Sequence, residues 1–420
     1  MQLFQWQHRA VTAAANRAAF GLWARPGTGK TLAALTIAQQ WGAVPVVIAP
    51  MAVKAQWAAL GVTHVYHYEQ VRIARHVADI ADTLQRQRCC LILDEAHKIA
   101  NPSTLTTKAV LRLGKLAATR IVLTGTPTAN SPADLWAQIV FLVPDAPIRS
   151  YRAFQERYLV GLPRHHPLMM RIKGNPFIPQ RTRAGGLILQ HEQELTELVM
   201  RYGITVHDAD ITDLPERTCI VRQCVPSPEL AAAYAEMKRT HMTEIAGHAL
   251  TADNAAVLAT RLLRLASGLA AADHPVRLPN PKLLALYDDL PQITSAGRVI
   301  IWSVWTQERA DIGSHLTTLR YRWTDDPALF QRDDTYRVLL GSPKVMGAGL
   351  NLQGATYQLW ASRTWSLIER EQALARNYRV GQTQKTTVMD YVTQGTIDER
   401  VMQALEDKSN LLQLIMETGI

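Results

Sequence analysis

The chain has 420 residues, 47% hydrophobic and 19% charged, an ordinary globular composition that rules out wholesale disorder and leaves room for two or three domains. Basic residues outnumber acidic ones 45 to 36, giving a net charge of +9 and a pI near 9.4, a balance that suits a polyanionic partner without naming one. With no secretory apolar segment in the first twenty residues and no uninterrupted apolar run of about 18, a secreted or membrane-embedded protein is not expected; a cytoplasmic, nucleoid-associated one is.

In chain order, apolar runs at residues 18–24, 44–49, 89–93 and 120–123 read as strands bounded by Gly, Pro, Asp or Thr. Helix-compatible stretches lie between them, such as residues 30–41, with Leu32, Leu35, Ala38 and Trp41 three apart. This β-α-β-α rhythm predicts a parallel sheet covered on both faces. Cys89/Cys90 and Cys219/Cys224 lack metal-pair spacing and read as small core residues.

Pro147, Pro163, Pro167, Pro176 and Pro179 then break the rhythm. A short helix with Tyr151, Phe154 and Tyr158 on one side is predicted there. Residues 145–185 hold eight Arg or Lys, among them Arg164, Arg171 and Lys173, against two acidic residues. Such an arm is either a solvated loop or a polyanion contact. Residues 190–285 read as mostly helical, with an extended piece at 218–225 and a packing stripe of Leu258, Leu262, Leu265 and Leu269. Strands return at 299–303, 336–341 and 357–360, and residues 397–415 form an amphipathic helix that would brace the second domain. The expected layout is a first α/β lobe over 1–225 with a basic arm at about 145–190, a helical protrusion over 226–280, a second lobe over 281–395, and a closing helix over 396–420.

Ala24-Arg25-Pro26-Gly27-Thr28-Gly29-Lys30-Thr31 lies between a predicted strand and a predicted helix, the context a phosphate-binding loop requires. Gly27 and Gly29 let backbone N–H groups approach phosphate oxygens, and the helix N-terminus adds partial positive charge. Lys30 would reach the β- and γ-phosphates, and the Thr31 hydroxyl would ligate Mg²⁺. The strand at 89–93 delivers Asp94 and Glu95 at its C-terminal end, where open α/β sheets bind ligands. Asp94 would hold the Mg²⁺ shell, and Glu95 would orient and deprotonate the attacking water. His97 is either a relay to the neighbouring strand or a packing histidine. Thr124 and Thr126, around Gly125, would bond the two carboxylates or simply end a strand. Arg376 and Arg379, three apart on a predicted helix, share a face that is either solvated or a pair of arginine fingers.

These motifs and their order resemble the Swi/Snf-type ATPases of helicase superfamily two, over almost the whole chain. Residues 3–10, with Gln7, resemble the glutamine motif that reads adenine; residues 46–50 with Gln56 and Trp57 resemble motif Ia; residues 66–69 resemble the next DNA-side motif. Residues 94–101 and 123–130, followed by Leu135 and Trp136, resemble motifs II and III. Residues 299–303, 347–352 and 372–382 resemble motifs IV, V and VI, and residues 396–400 the family's closing helix.

The resemblance implies two RecA-like lobes of the P-loop NTPase class, with ATP between them and DNA across both. It also implies ATP-driven translocation along double-stranded DNA. By motif match, Gln7 and Arg25 to Thr31 bind ATP with Mg²⁺, Asp94 and Glu95 handle metal and water, and Arg376 and Arg379 act as fingers. His97, Thr124, Thr126, Gly349, Asn351 and Gln372 carry coupling, and Lys54 and Asn101 lie nearer the DNA. Residues 201–207 sit where the family commonly has an Arg-Arg-x-Lys cluster, a departure in this chain. Two other readings stand beside the translocase: a strand-separating helicase acting on DNA or RNA, suggested by Asp94-Glu95-Ala96-His97, and a non-hydrolysing ATP-dependent clamp or scaffold.

Overall fold

The computed structural model describes residues 3–128, 131–144, 150–166, 169, 177–180, 188–206, 210, 214–245, 248–251, 255–269, 277–346 and 351–417. The chain divides into two compact units, the first formed by Met1–Thr212 with Glu406–Ile420 and the second by Asp213–Leu405.

In the first unit, strands β1 (Ala19–Ala24), β2 (Val44–Ala49), β3 (His64–His67), β4 (Cys89–Asp94), β5 (Thr119–Thr124) and β6 (Gly203–Val206) form one sheet in the order β3-β2-β4-β5-β1-β6. Every pairing in it is parallel. Phe20, Leu22, Val46, Val47, Leu91, Ile92, Ile121 and Val122 are fully buried, so these strands are covered on both faces, as near-continuous apolar runs require. The helix Lys30–Gln40 presents Ala33, Ala34, Ile37 and Ala38 to the core, a stripe offset from the three-residue spacing expected of Leu32 and Leu35. Small residues there let the helix lie close to the sheet, which fixes where its N-terminus points.

The second unit holds β7 (Arg217–Cys224), β8 (Met242–Ile245), β9 (His248–Thr251), β10 (Val299–Trp302), β11 (Trp323–Thr324), β12 (Val338–Gly341), β13 (Tyr357–Trp360) and β14 (Thr386–Thr393). Its main sheet runs β11-β12-β10-β13-β14-β7, again all parallel. Alternation along β10 is the period-2 signature of a strand buried on both sides. Val299 and Ile301 pack with Leu283, Leu286, Ile312 and Leu316 on one face, whereas Ile300 and Trp302 pack with Phe330, Leu352 and Leu374 on the other.

Three expectations change. The extended piece near 218–225 is β7, and it pairs with β14 from Arg217↔Thr386 to Cys224↔Thr393; it belongs to the second sheet, so the division falls near residue 212 rather than 225. The middle segment is not wholly helical, because β8 and β9 form an antiparallel hairpin between the helices Pro228–Thr240 and Ala255–Leu265. Cys89, Cys90 and Cys224 are buried as expected, but Cys219 is exposed on β7. The closing helix spans Ile397–Glu417. Its first turn is tied into the second unit, where the Ile397 N–H donates to the Tyr234 hydroxyl at 2.6 Å and buried Asp398 meets buried Lys282 at 2.9 Å. Among the described residues no helix is long and apolar enough to cross a membrane.

Candidate nucleotide site

Because β5 lies between β1 and β4 in a parallel sheet, the C-terminal ends of all three face the same side. The loop after β1 and the carboxylates after β4 therefore flank the Thr124 end of β5. The loop turns at Gly27 and Gly29, with φ of 83° and 86°, and leads directly into the helix Lys30–Gln40. A Cβ at Gly29 would lie 2.8 Å from Gln7 Nε2 in addition to the left-handed strain. Buried Gln7 accepts from the Phe4 N–H at 2.8 Å and donates to the Gly29 carbonyl at 2.9 Å. The glutamine expected to read adenine thus also braces the glycine loop.

Lys30, largely buried, donates to the carbonyls of Ala24 at 2.6 Å and Arg25 at 2.9 Å. The Thr28 hydroxyl donates to the Arg25 carbonyl at 2.9 Å. Pro26 packs so closely on Gly125 that a Cβ there would fall 2.4 Å from Pro26 Cδ. Behind the loop, the Trp23 indole donates to Gln138 Oε1 at 2.9 Å, and Gln138 Nε2 donates to the Pro127 carbonyl at 2.9 Å. The first strand, its loop and the Thr-Gly-Thr-Pro segment are thereby joined by buried polar contacts.

Asp94 ends β4, and Glu95 follows with φ 53°. A bulky acidic residue held in the left-handed region is a strain usually found at functional sites. Asp94 Oδ2 accepts from the Trp57 indole at 2.8 Å, and its backbone carbonyl accepts from the Tyr68 hydroxyl at 2.8 Å. Burial, then the neighbouring Glu95 charge, push the Asp94 carboxyl up to about 6, against the opposing Trp57 hydrogen bond and Lys30 charge. Burial likewise pushes the Tyr68 hydroxyl well above its ordinary value, with Asp94 and Glu95 adding to it.

His97 Nδ1 lies 3.3 Å from Glu95 Oε2, 3.3 Å from Thr124 Oγ1 and 3.5 Å from Thr126 Oγ1. The sequence suggests that the two threonines bond the carboxylates directly; the structure places them instead on His97, which stands between them and Glu95. The imidazole is both packed and a link, because β5 and the turn after β4 leave it a buried polar slot.

The remaining expectations resolve unevenly. Arg376 and Arg379 do not share a helical face: the helix Leu367–Leu374 ends before them. After Ala375 the backbone passes into turns, with the Arg376 N–H on the Ala373 carbonyl at 3.1 Å and the Tyr378 N–H on the Leu374 carbonyl at 3.3 Å. Buried Gln358 adds a bond to the Leu374 carbonyl at 3.1 Å and donates to Asn377 Oδ1, while Asn377 donates to the Ala355 carbonyl at 3.0 Å. Arg376, buried, donates to the Gln372 carbonyl at 2.7 Å, and burial lowers the Arg379 guanidinium from its ordinary value. Asn351 bonds Gln353 through its side chain, and its carbonyl accepts from Gln331. Asn101 shapes a turn by accepting from Ser103. Lys54 opens a short helix and is partly buried, and Arg164 is exposed in a turn. Gly349, Arg171 and Lys173 lie outside the described residues. Trp23, Trp57, Tyr68 and Gln138 carry contacts that their residue types did not announce. Their common signal is a polar tip on a large, otherwise buried side chain, which must find a partner.

Whether the site fits a hard divalent cation can be judged from its donors. The Glu95 charge raises the cost of ionising Asp94 beside it, and Thr31 stands in the first turn of the helix Lys30–Gln40, so the candidate donors are all oxygen, as a hard cation requires. Among the described residues no cluster of three or more His, Cys, Asp or Glu could hold a metal alone.

A glycine-turned loop before a helix N-terminus, with strand-end carboxylates two strands away, defines a P-loop nucleotide-binding unit. Residues 62–271 match the SNF2-related domain, half of the chain, and the chain belongs to that family. It is 26% identical over 400 residues to the TATA-binding protein-associated factor BTAF1 of Arabidopsis thaliana, covering 77% of this chain and 19% of that protein. It is 26% identical to the putative ATP-dependent helicase/translocase YwqA of Bacillus subtilis, covering 78% and 36%, and 26% identical to the DNA excision repair protein CSB of Oryza sativa, covering 74% and 27%. The chain thus spans about a fifth to a third of the length of these curated relatives. A solved structure described as the Sulfolobus solfataricus SWI2/SNF2 ATPase core in complex with dsDNA aligns with a TM-score of 0.41 and 20% identity, over 100% of this chain and 94% of that one.

Proposed function

We propose that the chain is a DNA-stimulated ATPase of the SNF2 type, which uses ATP to move along double-stranded DNA and displace or remodel what is bound there. The observation that carries this is the convergence of the Gly27–Thr31 loop, the Asp94–Glu95 pair and His97 with Thr124 and Thr126 at one end of a single parallel sheet. Membership of the SNF2-related family supports it, as do relatives named as helicases, translocases and excision-repair proteins.

In this reading the loop N–H groups and Lys30 take the triphosphate, and Gln7 takes the base while holding Gly29. Thr31 and Asp94 hold Mg²⁺, which would neutralise charge on the phosphates. Glu95 orients and deprotonates the attacking water, and His97 reports that carboxylate's state to Thr124 and Thr126 on β5. Arg376 and Arg379 are assigned to stabilising charge on the transferred phosphate. Lys54, Asn101 and the basic segment containing Arg164, Arg171 and Lys173 are assigned to DNA phosphates, and Gly349, Asn351 and Gln372 to coupling. A protein that tracks phosphates binds with weak sequence preference and steep salt dependence. The working location is proposed to be the DNA-containing compartment of a cell.

The test is the ATPase rate measured side by side with single-stranded DNA, duplex DNA, forked DNA and RNA. Duplex DNA is expected to stimulate most. A preference for RNA together with strand separation on tailed substrates would favour a helicase, and no turnover with any nucleic acid would favour a clamp.

A further inference from the structure

The helix Lys54–Ala59 has a single buried residue, Trp57, and the 3₁₀ turn before it, Met51–Val53, has none. Met51 is 65% exposed, and Ala55, Gln56, Ala58 and Ala59 are exposed as well. This surface segment therefore has one side chain anchored in the unit, and that anchor ends on the carboxylate of Asp94 at 2.8 Å. An indole N–H only donates, so the contact cannot be exchanged for another polarity. A second surface segment, which also buries Val71, reaches the same residue. Tyr68, 3% exposed, is set between partly buried His67 and exposed Glu69. Its hydroxyl donates to the Asp94 carbonyl at 2.8 Å. Two stretches that face solvent thus each insert one aromatic ring, and both polar tips finish on the same residue, one on its side chain and one on its backbone.

We propose that Trp57 and Tyr68 are positioning residues that set the Asp94 carboxylate for the divalent cation and make its placement depend on the two surface segments that carry them. The proposal rests on the ATPase reading above. Within it, Lys54 stands three residues from Trp57, about 4.5 Å along the helix axis, so a phosphate held at Lys54 pulls on the helix whose only buried side chain grips Asp94. Residues 67–72 would act likewise through Tyr68, since Arg72 Nε also ties this stretch to Thr106 Oγ1 at 2.9 Å. Duplex binding at these segments would then reach the metal-holding carboxylate without passing through the glycine loop.

The experiment uses the full chain and the variants Tyr68→Phe, which keeps the ring and removes the donor, and Trp57→Phe, which removes the donor and leaves a smaller aromatic ring. Mn²⁺ affinity of the ADP complex is read by electron paramagnetic resonance, metal-free ATP affinity by titration, and turnover with and without duplex DNA. Trp57→Phe is expected to weaken Mn²⁺ about tenfold, as removing an outer partner of a metal ligand does, while metal-free ATP affinity stays within twofold. The ratio of duplex-stimulated to basal turnover is expected to fall in both variants, and the double variant to fall by less than the product of the two. Unchanged Mn²⁺ affinity in both variants would overturn the proposal, even if thermal stability drops, because the rings would then be packing alone. If Trp57→Phe does not fold, Tyr68→Phe decides by the same readouts. A parent chain that binds Mn²⁺-ADP but never hydrolyses ATP would defeat the ATPase reading, and the Mn²⁺ measurement would still judge this one.

Discussion

Glu95, assigned above to the attacking water, has a left-handed backbone, φ 53°, and its carboxylate lies 3.3 Å from His97. Glu95→Gln keeps the shape and removes the proton acceptor. Phosphate release is expected to stop while ATP still binds, which nucleotide titration beside a turnover assay checks. Gly125→Ala probes the loop from behind: its Cβ would sit 2.4 Å from Pro26 Cδ. Overpacking of this kind costs about 1–3 kcal/mol, and the Pro26 loop is the part able to move, so ATP affinity is expected to drop roughly tenfold or more with the fold intact. At this scale the sequence is informative wherever the chemistry is local. Gly27, Gly29, Lys30 and Thr31 are consecutive or nearly so, and Asp94 and Glu95 close an unmistakable apolar strand. The supporting contacts are not legible, because Trp23 meets Gln138 across 115 positions and Trp57 meets Asp94 across 37, and nothing in a tryptophan's own surroundings says which polar atom its indole will find.

Among elements, the helix Leu367–Leu374 shows how a buried side chain overrides a plausible period. The spacing of Arg376 and Arg379 suits a helix, yet Asn377 between them is buried and bonded to Gln358 and to the Ala355 carbonyl, and the chain there runs in turns. Arg379→Ala is expected to abolish duplex-stimulated hydrolysis and leave nucleotide affinity nearly unchanged; equal turnover in stimulated assays would remove Arg379 from the reaction. Strand β14 escapes a reading from sequence for a related reason. A charged residue sits among its inward positions: Asp390 is 2% exposed and bonded by Arg370 at 2.8 and 2.6 Å, with Arg363 3.4 Å away. Burial works to raise the Asp390 carboxyl, but Arg370 and then Arg363 prevail and hold it below its ordinary value. Its contribution is therefore present above the unfolded carboxylate range and disappears as pH falls below it, through the folded value. Asp390→Asn leaves two buried guanidinium groups without their anion and is expected to cost about 3–5 kcal/mol at neutral pH. Denaturant unfolding at pH 7 and near pH 3 checks both points, since the variant's deficit should shrink at the lower pH. Short strands such as β3 and β6, four residues each, offer too few positions for alternation to register.

For the molecule as a whole, the charge balance bears on partners rather than fold. Eight of the basic residues fall in 145–185. Two of those the structure describes are paired, Arg152 with Glu156 and Arg157 with Glu194, whereas Arg164 is exposed in a turn; the test takes Arg164 with Arg171 and Lys173, which lie outside the described residues. Neutralising those three together is expected to weaken duplex binding and to flatten the slope of log affinity against log salt, by about 0.9 for each phosphate left without a cationic partner. A titration over several salt concentrations measures it, and an unaltered slope would make the segment a linker. Alternating strands and helices predict two parallel sheets correctly, but no local pattern could assign β7 to its sheet, because the partner strand stands 169 residues further on.

That separation has a consequence during synthesis. At about 5–20 residues per second, β7 leaves the ribosome roughly 10–30 s before β14 exists to receive it. Until then β7 has no partner strand, and its Ile220 and Val221 stay 41% and 50% exposed even in the folded chain. Arg217 and Arg222, flanking that pair, are placed where charge discourages two such strands from joining, before β14 arrives and after.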